Sequence, residues 1–241
     1  MAIIPIDGEI LYIRRSIGDC GPQYRRCWRC VEVHPLCGVM AMVSKIYACA
    51  ALGIDGLLID VETDISNGLP GFTIVGLPDM AVRESKERVR TSIKNSGFEY
   101  PLKKITVNLA PADIKKEGPI YDLPIAVGIL YATGQISSDR LGSCILIGEL
   151  SLDGRVKPVD GALCMVAEAA KMGFKSALVP YRNAREAAII KGIDIYPVGS
   201  LGEAAGFLGG TLQIEPYTMD LNDMVNRNVS YDDFADIKGQ E

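Results

Sequence analysis

The order of two hydrophobic patterns along the chain constrains its fold more than any other feature. Between residues 43 and 77, three short runs of β-branched and aliphatic residues are separated by turn residues, which predicts three strands in an antiparallel meander. From residue 161 to residue 210, helical and strand patterns alternate, which is typical of right-handed βαβ crossovers. Together the two patterns predict an α/β (α+β) fold, with helices packed on a mixed sheet, in one domain spanning residues 42–210.

Two helices are predicted between these regions. The first begins at Asp79, a favourable N-cap residue, and ends at Gly97; its apolar stripe consists of Val82, Val89 and Ile93. The second begins at Asp122 and ends at Gly134. Because the second helix is apolar on nearly all sides, we expect it to be buried.

Three short motifs predict further boundaries. The Asp153-Gly154 pair, flanked by strand patterns, predicts a β-hairpin with a two-residue primed turn. The capping boxes Asn183/Glu186 and Ser200/Glu203 predict the starts of two more helices. Residues 211–241 are polar, acidic and weakly periodic, and we expect them to form a linker.

Residues 1–41 differ in composition from the rest of the chain. They contain the only tryptophan, the only histidine (His34) and four cysteines, namely Cys20, Cys27, Cys30 and Cys37. A zinc knuckle built from these thiols and His34 is one hypothesis, although a single Cys-x-x-Cys with loosely spaced neighbours is not the usual arrangement. The favoured alternative is that translation starts at Met42, so that residues 1–41 are upstream sequence or a disordered extension, and no metal site is assigned.

Composition excludes several classes of protein. With 48% hydrophobic and 23% charged residues over 241 positions, the chain resembles a folded soluble domain that needs no disulfide framework. The longest nearly apolar stretch, residues 123–132, has about half of the roughly 20 residues needed to span a bilayer, so no membrane contact is predicted. Scattered cysteines without a signal peptide predict free thiols and a cytoplasmic location. The formal charge of −5 means that nucleic-acid binding would require a local basic patch.

The sequence lacks the motifs of common catalytic sites. It contains neither the G-x-x-x-x-G-K-[ST] loop that holds nucleotide phosphates nor a G-x-S-x-G nucleophile elbow. Because the only histidine precedes residue 42, the domain has no imidazole for a Ser-His or Cys-His pair. A Ser-Lys dyad remains possible on these grounds alone, and no cofactor-binding residue is assigned.

A row of basic residues on the first helix is the main candidate for an anion-binding surface. Arg83, Lys86, Arg90 and Lys94 follow one another at helical spacing, away from the apolar stripe, so phosphates could lie along them. The alternative is an ordinary solvated face, in which Glu87 pairs with Arg83 and Arg90.

A loop rich in glycine and proline is a second candidate for anion contact. It carries Lys115 and Lys116 between Asp113 and Glu117, and its backbone amides could also reach an anion. A charged surface turn is the alternative.

Several long segments match a known family of proteins. They are Asp64–Pro70, Ile74–Asp79, Arg83–Arg90, Val107–Pro119 and Ile147–Gly154. In these segments the chain resembles the N-terminal domain of the ComM/YifB proteins, which are magnesium-chelatase-like AAA+ ATPases of bacteria. The resemblance implies the fold of the Lon proteolytic domain, a ribosomal-protein-like mixed sheet.

The resemblance also implies partners and a function. Asp236–Glu241 look like the first residues of an AAA+ module, which would bind ATP and Mg²⁺ and assemble as a homo-hexamer. The chain would then be a non-catalytic accessory domain of an ATPase that acts on branched or single-stranded DNA during recombination and natural transformation. The alternative is a protein-interaction module that never touches DNA.

The likeness to Lon raises the possibility of a Ser-Lys peptidase. The Lon nucleophile lies in a Gly-Pro-Ser-Ala-Gly loop, and Ile120 takes the place of that serine here. The matching position for the Lon lysine is Leu163. Tyr121 is a poor substitute, since a phenol is weakly acidic and this one has no evident base to activate it. No catalytic residue is therefore assigned, and we expect the chain to have no enzymatic activity.

Overall fold

A computed structural model describes residues 2–6, 9–13 and 43–219 of the chain. The chain divides into two units, Met1–Met40 and Ala41–Glu241, which are considered separately. In the first unit, β1 (Ala2–Ile6) pairs with β2 (Glu9–Ile13) as an antiparallel hairpin. The candidate zinc ligands of residues 20–37, the proposed start at Met42 and most of the predicted linker lie outside the described residues, so the predictions made for them stay predictions.

The second unit contains nine strands and five α-helices within its described part. The strands are β3 (Ser44–Leu52), β4 (Asp55–Ser66), β5 (Gly71–Val75), β6 (Lys104–Ala110), β7 (Cys144–Leu146), β8 (Glu149–Leu150), β9 (Val156–Lys157), β10 (Ser176–Pro180) and β11 (Asp194–Val198). The helices are α1 (Met80–Asn95), α2 (Asp122–Ala132), α3 (Ala162–Lys171), α4 (Ala184–Ala187) and α5 (Leu201–Leu208). No described helix has both the length and the hydropathy to cross a bilayer.

Seven of these strands form one mixed sheet, as the alternating patterns predict. Its order is β11-β10-β7-β3-β4-β6-β5. The strands β7, β10 and β11, which are connected through helices, pair in parallel, whereas β3–β4 and β4–β6 are antiparallel. The predicted α/β fold with a mixed sheet is therefore confirmed.

The predicted three-stranded meander is wrong in one respect. β3 and β4 form a hairpin, but β5 lies at the edge of the sheet and pairs in parallel with β6, which separates it from β4. Four residues, 67–70, connect β4 to β5, and a connection of that length can span the two strand spacings of about 10 Å that the crossing requires. The helix α1 then returns the chain to β6 beside β5.

Helices cover both faces of the sheet. One apolar core lies under α1, α2 and α5, where Ile46, Val61 and Val107 are fully buried. The other lies under α3 and α4, where Ile145 and Val179 are fully buried. As its composition predicts, α2 is surrounded by protein: all nine residues from Asp122 to Leu130 are buried.

Two predicted motifs differ in detail from the structure. The β8–β9 hairpin closes on a three-residue loop, because the Ser151 backbone N–H donates to the Arg155 carbonyl at 2.9 Å and Gly154 takes a φ of 85°. Asn183 stands at the N-cap position of α4, as predicted, but its side chain makes no capping hydrogen bond, and the helix has only four residues. The buried Asn183 amide instead accepts a hydrogen bond from the Val159 N–H at 3.0 Å and donates to the Val159 carbonyl at 2.7 Å. The Ser200 cap of α5 is confirmed.

Candidate nucleic-acid interface

The start of α1 is fixed by contacts with the loop that follows β6. As predicted, Asp79 is the N-cap: its Oδ1 accepts from the Val82 N–H at 2.7 Å, and its Oδ2 accepts from the Gly118 N–H at 3.2 Å. The Leu77 carbonyl accepts from the Lys116 N–H at 3.1 Å. Gly76 lets the chain before α1 lie close to β6, since a Cβ there would be 2.1 Å from the Leu109 carbonyl oxygen. These contacts set the position of α1 at the edge of the sheet.

The inner side of α1 is held by a buried polar network. The Arg88 Nε donates to the Asp122 carboxylate at 2.7 Å, and the hydroxyl of Ser85 donates to the same carboxylate. Burial raises the pKa of Asp122, while the hydrogen bonds from Arg88 and Ser85 oppose that rise. The hydrogen bond to Asp122 raises the pKa of Arg88, so the guanidinium stays charged where it meets this carboxyl group. The network ties α1 to the first turn of α2.

The outer side of α1 carries the predicted row of cations. Arg83, Lys86, Arg90 and Lys94 are all exposed, and they extend over about 16 Å of helix at 1.5 Å per residue. The ion pairs predicted for Glu87 are not found: within residues 43–219, no carboxylate lies within 4.0 Å of these four side chains. Their charges therefore face solvent.

Two depressions border this row. The larger, of about 810 Å³, is open and follows the first turns of α1, where Arg83 and Lys86 line it. The smaller, of about 170 Å³, lies between α1, the start of β5 and the segment that leads into β6, where Lys86 and Arg90 line it. Lys94 lies outside both depressions. The row is thus flanked by concave surface over most of its length.

The structure separates the second pair of predicted cations. Lys115 is exposed and pairs with Glu117 at 2.6 Å, as in a charged surface turn. Lys116 is only 1% exposed, so the expectation of a surface cation is wrong for this residue. Its Nζ donates to the carbonyls of Pro111 and Ile114, and burial lowers its pKa. The ammonium group of Lys116 is therefore hydrogen-bonded within its own loop and is not available to an anion at the surface.

The positions that match the Lon dyad carry no reactive group. Ile120 is half-buried against both cores, and Leu163 is half-buried on α3. Tyr121 is fully buried, its hydroxyl has no partner among the described residues, and burial raises its pKa. A phenol in this environment cannot replace a serine nucleophile at neutral pH.

The described residues contain no group of three or more His, Cys, Asp or Glu side chains suited to a metal ion. Cys49, Cys144 and Cys164 are free thiols, as the sequence predicts for them. Burial raises the pKa of Cys49 to about 12 and that of Cys144 to about 11, so both remain protonated at neutral pH.

Sequence reasoning missed two features near α1. One is Arg88, to which the sequence analysis assigned no role; its three-residue spacing from Ser85 on the inner side was the available signal. The other is the set of side chains that complete the smaller depression, including Phe72, Tyr100 and Lys103. Because these residues come from two segments 28 positions or more apart, no local pattern joins them.

Comparisons with known proteins identify the family. The family model described as "Subunit ChlI of Mg-chelatase" matches residues 61–183, which is half of the chain. The YifB protein of Escherichia coli is 43% identical over 199 residues, covering 83% of this chain and 38% of that protein. The competence protein ComM of Haemophilus influenzae is 40% identical over 165 residues, covering 68% of this chain and 32% of that protein.

A more distant match agrees with the fold. Lon protease 2 of Bacillus subtilis is 28% identical over 174 residues, covering 65% of this chain and 31% of that protein. The chain spans about a third of the length of the curated relatives that it matches. Its sequence and its mixed sheet therefore place this chain in the magnesium-chelatase-like YifB/ComM family, with a relation to Lon.

Proposed function

We propose that this chain is a non-catalytic accessory domain of a YifB/ComM-type AAA+ ATPase and that it contacts DNA through the outer face of α1. The observation that carries the proposal is the row of Arg83, Lys86, Arg90 and Lys94, exposed and not paired with any carboxylate among the described residues. One strand of a duplex has a phosphate about every 3.4 Å, so a row of about 16 Å can follow about five of them. The name of the relative ComM, a competence protein, supports a role in the handling of DNA.

In this proposal the chain works as part of a larger cytoplasmic assembly. The 241 residues contain no phosphate-binding loop, so they do not fit ATP and Mg²⁺, which would bind to an AAA+ module of the full-length protein. That module would form a homo-hexameric ring. The domain would hold branched or single-stranded DNA at one face of the ring during recombination of incoming DNA.

Two variants of equal charge test the proposal. In the first, Arg83, Lys86, Arg90 and Lys94 are changed to Gln; in the control, the same change is made at four exposed cations outside α1, namely Lys175, Arg182, Arg185 and Lys191. Affinity for branched DNA is measured over a range of salt concentrations. Each phosphate interaction that is removed makes the slope of log K against log salt less steep by about 0.9. The slope of the first variant should therefore become less steep by up to about four. The control should keep the slope of the native chain.

An equal loss in both variants would mean that net charge, and not α1, governs binding. An unchanged slope in the α1 variant would remove this face from consideration. Circular dichroism of both variants checks that the fold is intact, which we expect because exposed charges contribute little to stability.

A second candidate function, contact with a protein, is favoured by exposed apolar residues beside the same cations. Leu77 is 54% exposed and Met80 is 77% exposed. Leu77 has a φ of 55°, which bulky residues rarely adopt, and Lys116 holds its backbone in place. If this surface binds a client protein, the chain should bind no DNA at any salt concentration. Its affinity for the client should change little with salt, because apolar contacts depend only weakly on salt concentration.

A further inference from the structure

The smaller depression, called here the α1–β5 cleft, combines cations with aromatic side chains. It lies beside the cation row and holds about 170 Å³, with Phe72, Lys86, Arg90, Tyr100, Leu102 and Lys103 among its lining residues. Its walls come from α1, from β5 and from the segment that leads into β6. The cleft is therefore built by the fold and is not an irregularity of one loop.

The cations of the cleft are available to a ligand. Lys86, Arg90 and Lys103 are exposed, and within residues 43–219 no carboxylate lies within 4.0 Å of them. Glu87 is the single acidic residue in the lining. Three positive charges against one negative charge favour an anionic ligand, although the chain as a whole has a charge of −5.

The aromatic residues give the cleft a flat apolar wall. Phe72 and Tyr100 are half-buried and pack against the core, so their rings are held in position. The Arg90 guanidinium lies 5.7 Å from the centroid of the Tyr100 ring, an arrangement that orients both groups. Burial raises the pKa of Tyr100 to about 12, so the ring adds no negative charge at neutral pH.

Apolar side chains also remain exposed at the rim. Leu102 in the lining is 76% exposed, and Leu69, next to the lining residue Pro70, is 90% exposed. A ligand that carries only charge would leave these side chains in water. A ligand with both a phosphate and a flat apolar group would use the cations and the apolar wall together.

We propose that the α1–β5 cleft binds an unpaired nucleotide of single-stranded DNA, with the base against Tyr100 and Phe72 and the neighbouring phosphates on Lys86, Arg90 and Lys103. This inference rests on the proposed function and specifies its substrate. A base within a duplex is paired and stacked, so it cannot present its face to the cleft, whereas every unpaired base can. The cation row of α1 then follows the backbone of the same strand.

Three oligonucleotides test the inference on the full chain. They are a thymidine strand of about 12 nucleotides, an abasic strand of the same length, and a duplex. The length of about 12 nucleotides falls within the site sizes of single-strand binding domains. The abasic strand keeps every phosphate and lacks every base. Stacking of one base accounts for about 1–3 kcal/mol, so the thymidine strand should bind roughly 5- to 150-fold more tightly than the abasic strand. Equal affinity for the two strands would overturn the inference without the use of any variant.

Substitutions then locate the effect. Tyr100→Leu keeps an apolar side chain but removes the ring, and it should abolish most of the preference for thymidine over abasic DNA; the control Tyr217→Leu, at an exposed tyrosine outside the cleft, should keep it. Leu102→Asp changes a side chain that is 76% exposed, so the fold is preserved, and the new carboxylate should weaken binding of the thymidine strand. A preference that persists in Tyr100→Leu, together with undiminished binding of the thymidine strand by Leu102→Asp, would place the base elsewhere.

Two further results separate this inference from the proposed function. If the α1 glutamine variant loses all DNA binding while Tyr100→Leu changes nothing, the cation row binds DNA and the cleft does not bind a base. If an oligo-glutamate of about the same length competes as strongly as the thymidine strand, the cleft recognises negative charge alone, which contradicts base recognition. Undiminished binding of both strands by the α1 glutamine variant would contradict both proposals.

Discussion

Removal of the Asp122 carboxylate is expected to destabilise the domain by far more than a surface charge would. Asp122 is fully buried and accepts hydrogen bonds from the Ser85 hydroxyl, from Arg88 at 2.7 and 3.2 Å, and from the Leu150 N–H at 3.2 Å. Breaking a buried ion pair by removing one partner costs about 3–5 kcal/mol. The Arg88 side chain is 21% exposed, so water can solvate part of its charge, and it would still donate a hydrogen bond to the Ala81 carbonyl at 3.0 Å. We therefore expect Asp122→Ala to lower the free energy of unfolding by about 3 kcal/mol.

Urea denaturation followed by circular dichroism measures this change. Glu117→Ala is the control, because Glu117 belongs to an exposed ion pair with Lys115, and its midpoint should match that of the native chain. Replacement of both partners, Arg88→Leu with Asp122→Leu, should be less destabilising than Asp122→Ala, since no buried charge is left without a partner. The reasoning is refuted if Asp122→Ala unfolds at the midpoint of the control, or if the double variant is destabilised by the sum of the two single effects.

Three further predictions concern other parts of the chain. Limited proteolysis with mass spectrometry should trim the chain near residues 40–44 and leave the folded domain, and protection of residues 27–37 or stoichiometric zinc would contradict this. The chain should hydrolyse neither ATP nor casein, because it lacks a phosphate loop and has Ile120 and Leu163 at the Lon positions; activity that a substitution within residues 42–210 abolishes would disprove this. Because burial lowers the pKa of Lys116, the unfolded chain binds its proton more tightly, so stability relative to Lys116→Met should rise as the pH increases through the lowered pKa towards 10.5. Parallel curves for the two proteins would show that Lys116 does not titrate in this way.

The elements of this fold that depend on local patterns could be predicted from the sequence. The N-cap at Asp79, the fully buried α2 and the parallel strands of the last third follow from side-chain periodicity and turn residues within short windows. The position of β5 could not be predicted, because it depends on pairing with β6, about 30 residues later in the chain. Asn183 has the residue type of a helix cap, but its amide binds the distant Val159 backbone instead.

The same distinction applies to the candidate interface. The exposure of the four α1 cations follows from their spacing relative to the apolar stripe, so the sequence was sufficient for that part. Burial of Lys116 could not be foreseen, since lysine is among the residues least often buried and only the carbonyls of its own loop make burial tolerable. The α1–β5 cleft was also beyond prediction, because Phe72 and Tyr100 meet α1 only in the folded sheet.

Lysine footprinting on the DNA-bound chain tests the central claim most directly, because each lysine reports on its own position. The chain is acetylated with and without branched DNA, and modification at each site is compared by mass spectrometry. Contact through α1 predicts that Lys86 and Lys94 are protected, while Lys171, Lys175 and Lys191, which are exposed and lie outside α1, react as in the free protein. Protection of the last three lysines, or equal protection at every exposed lysine, would contradict DNA contact through α1.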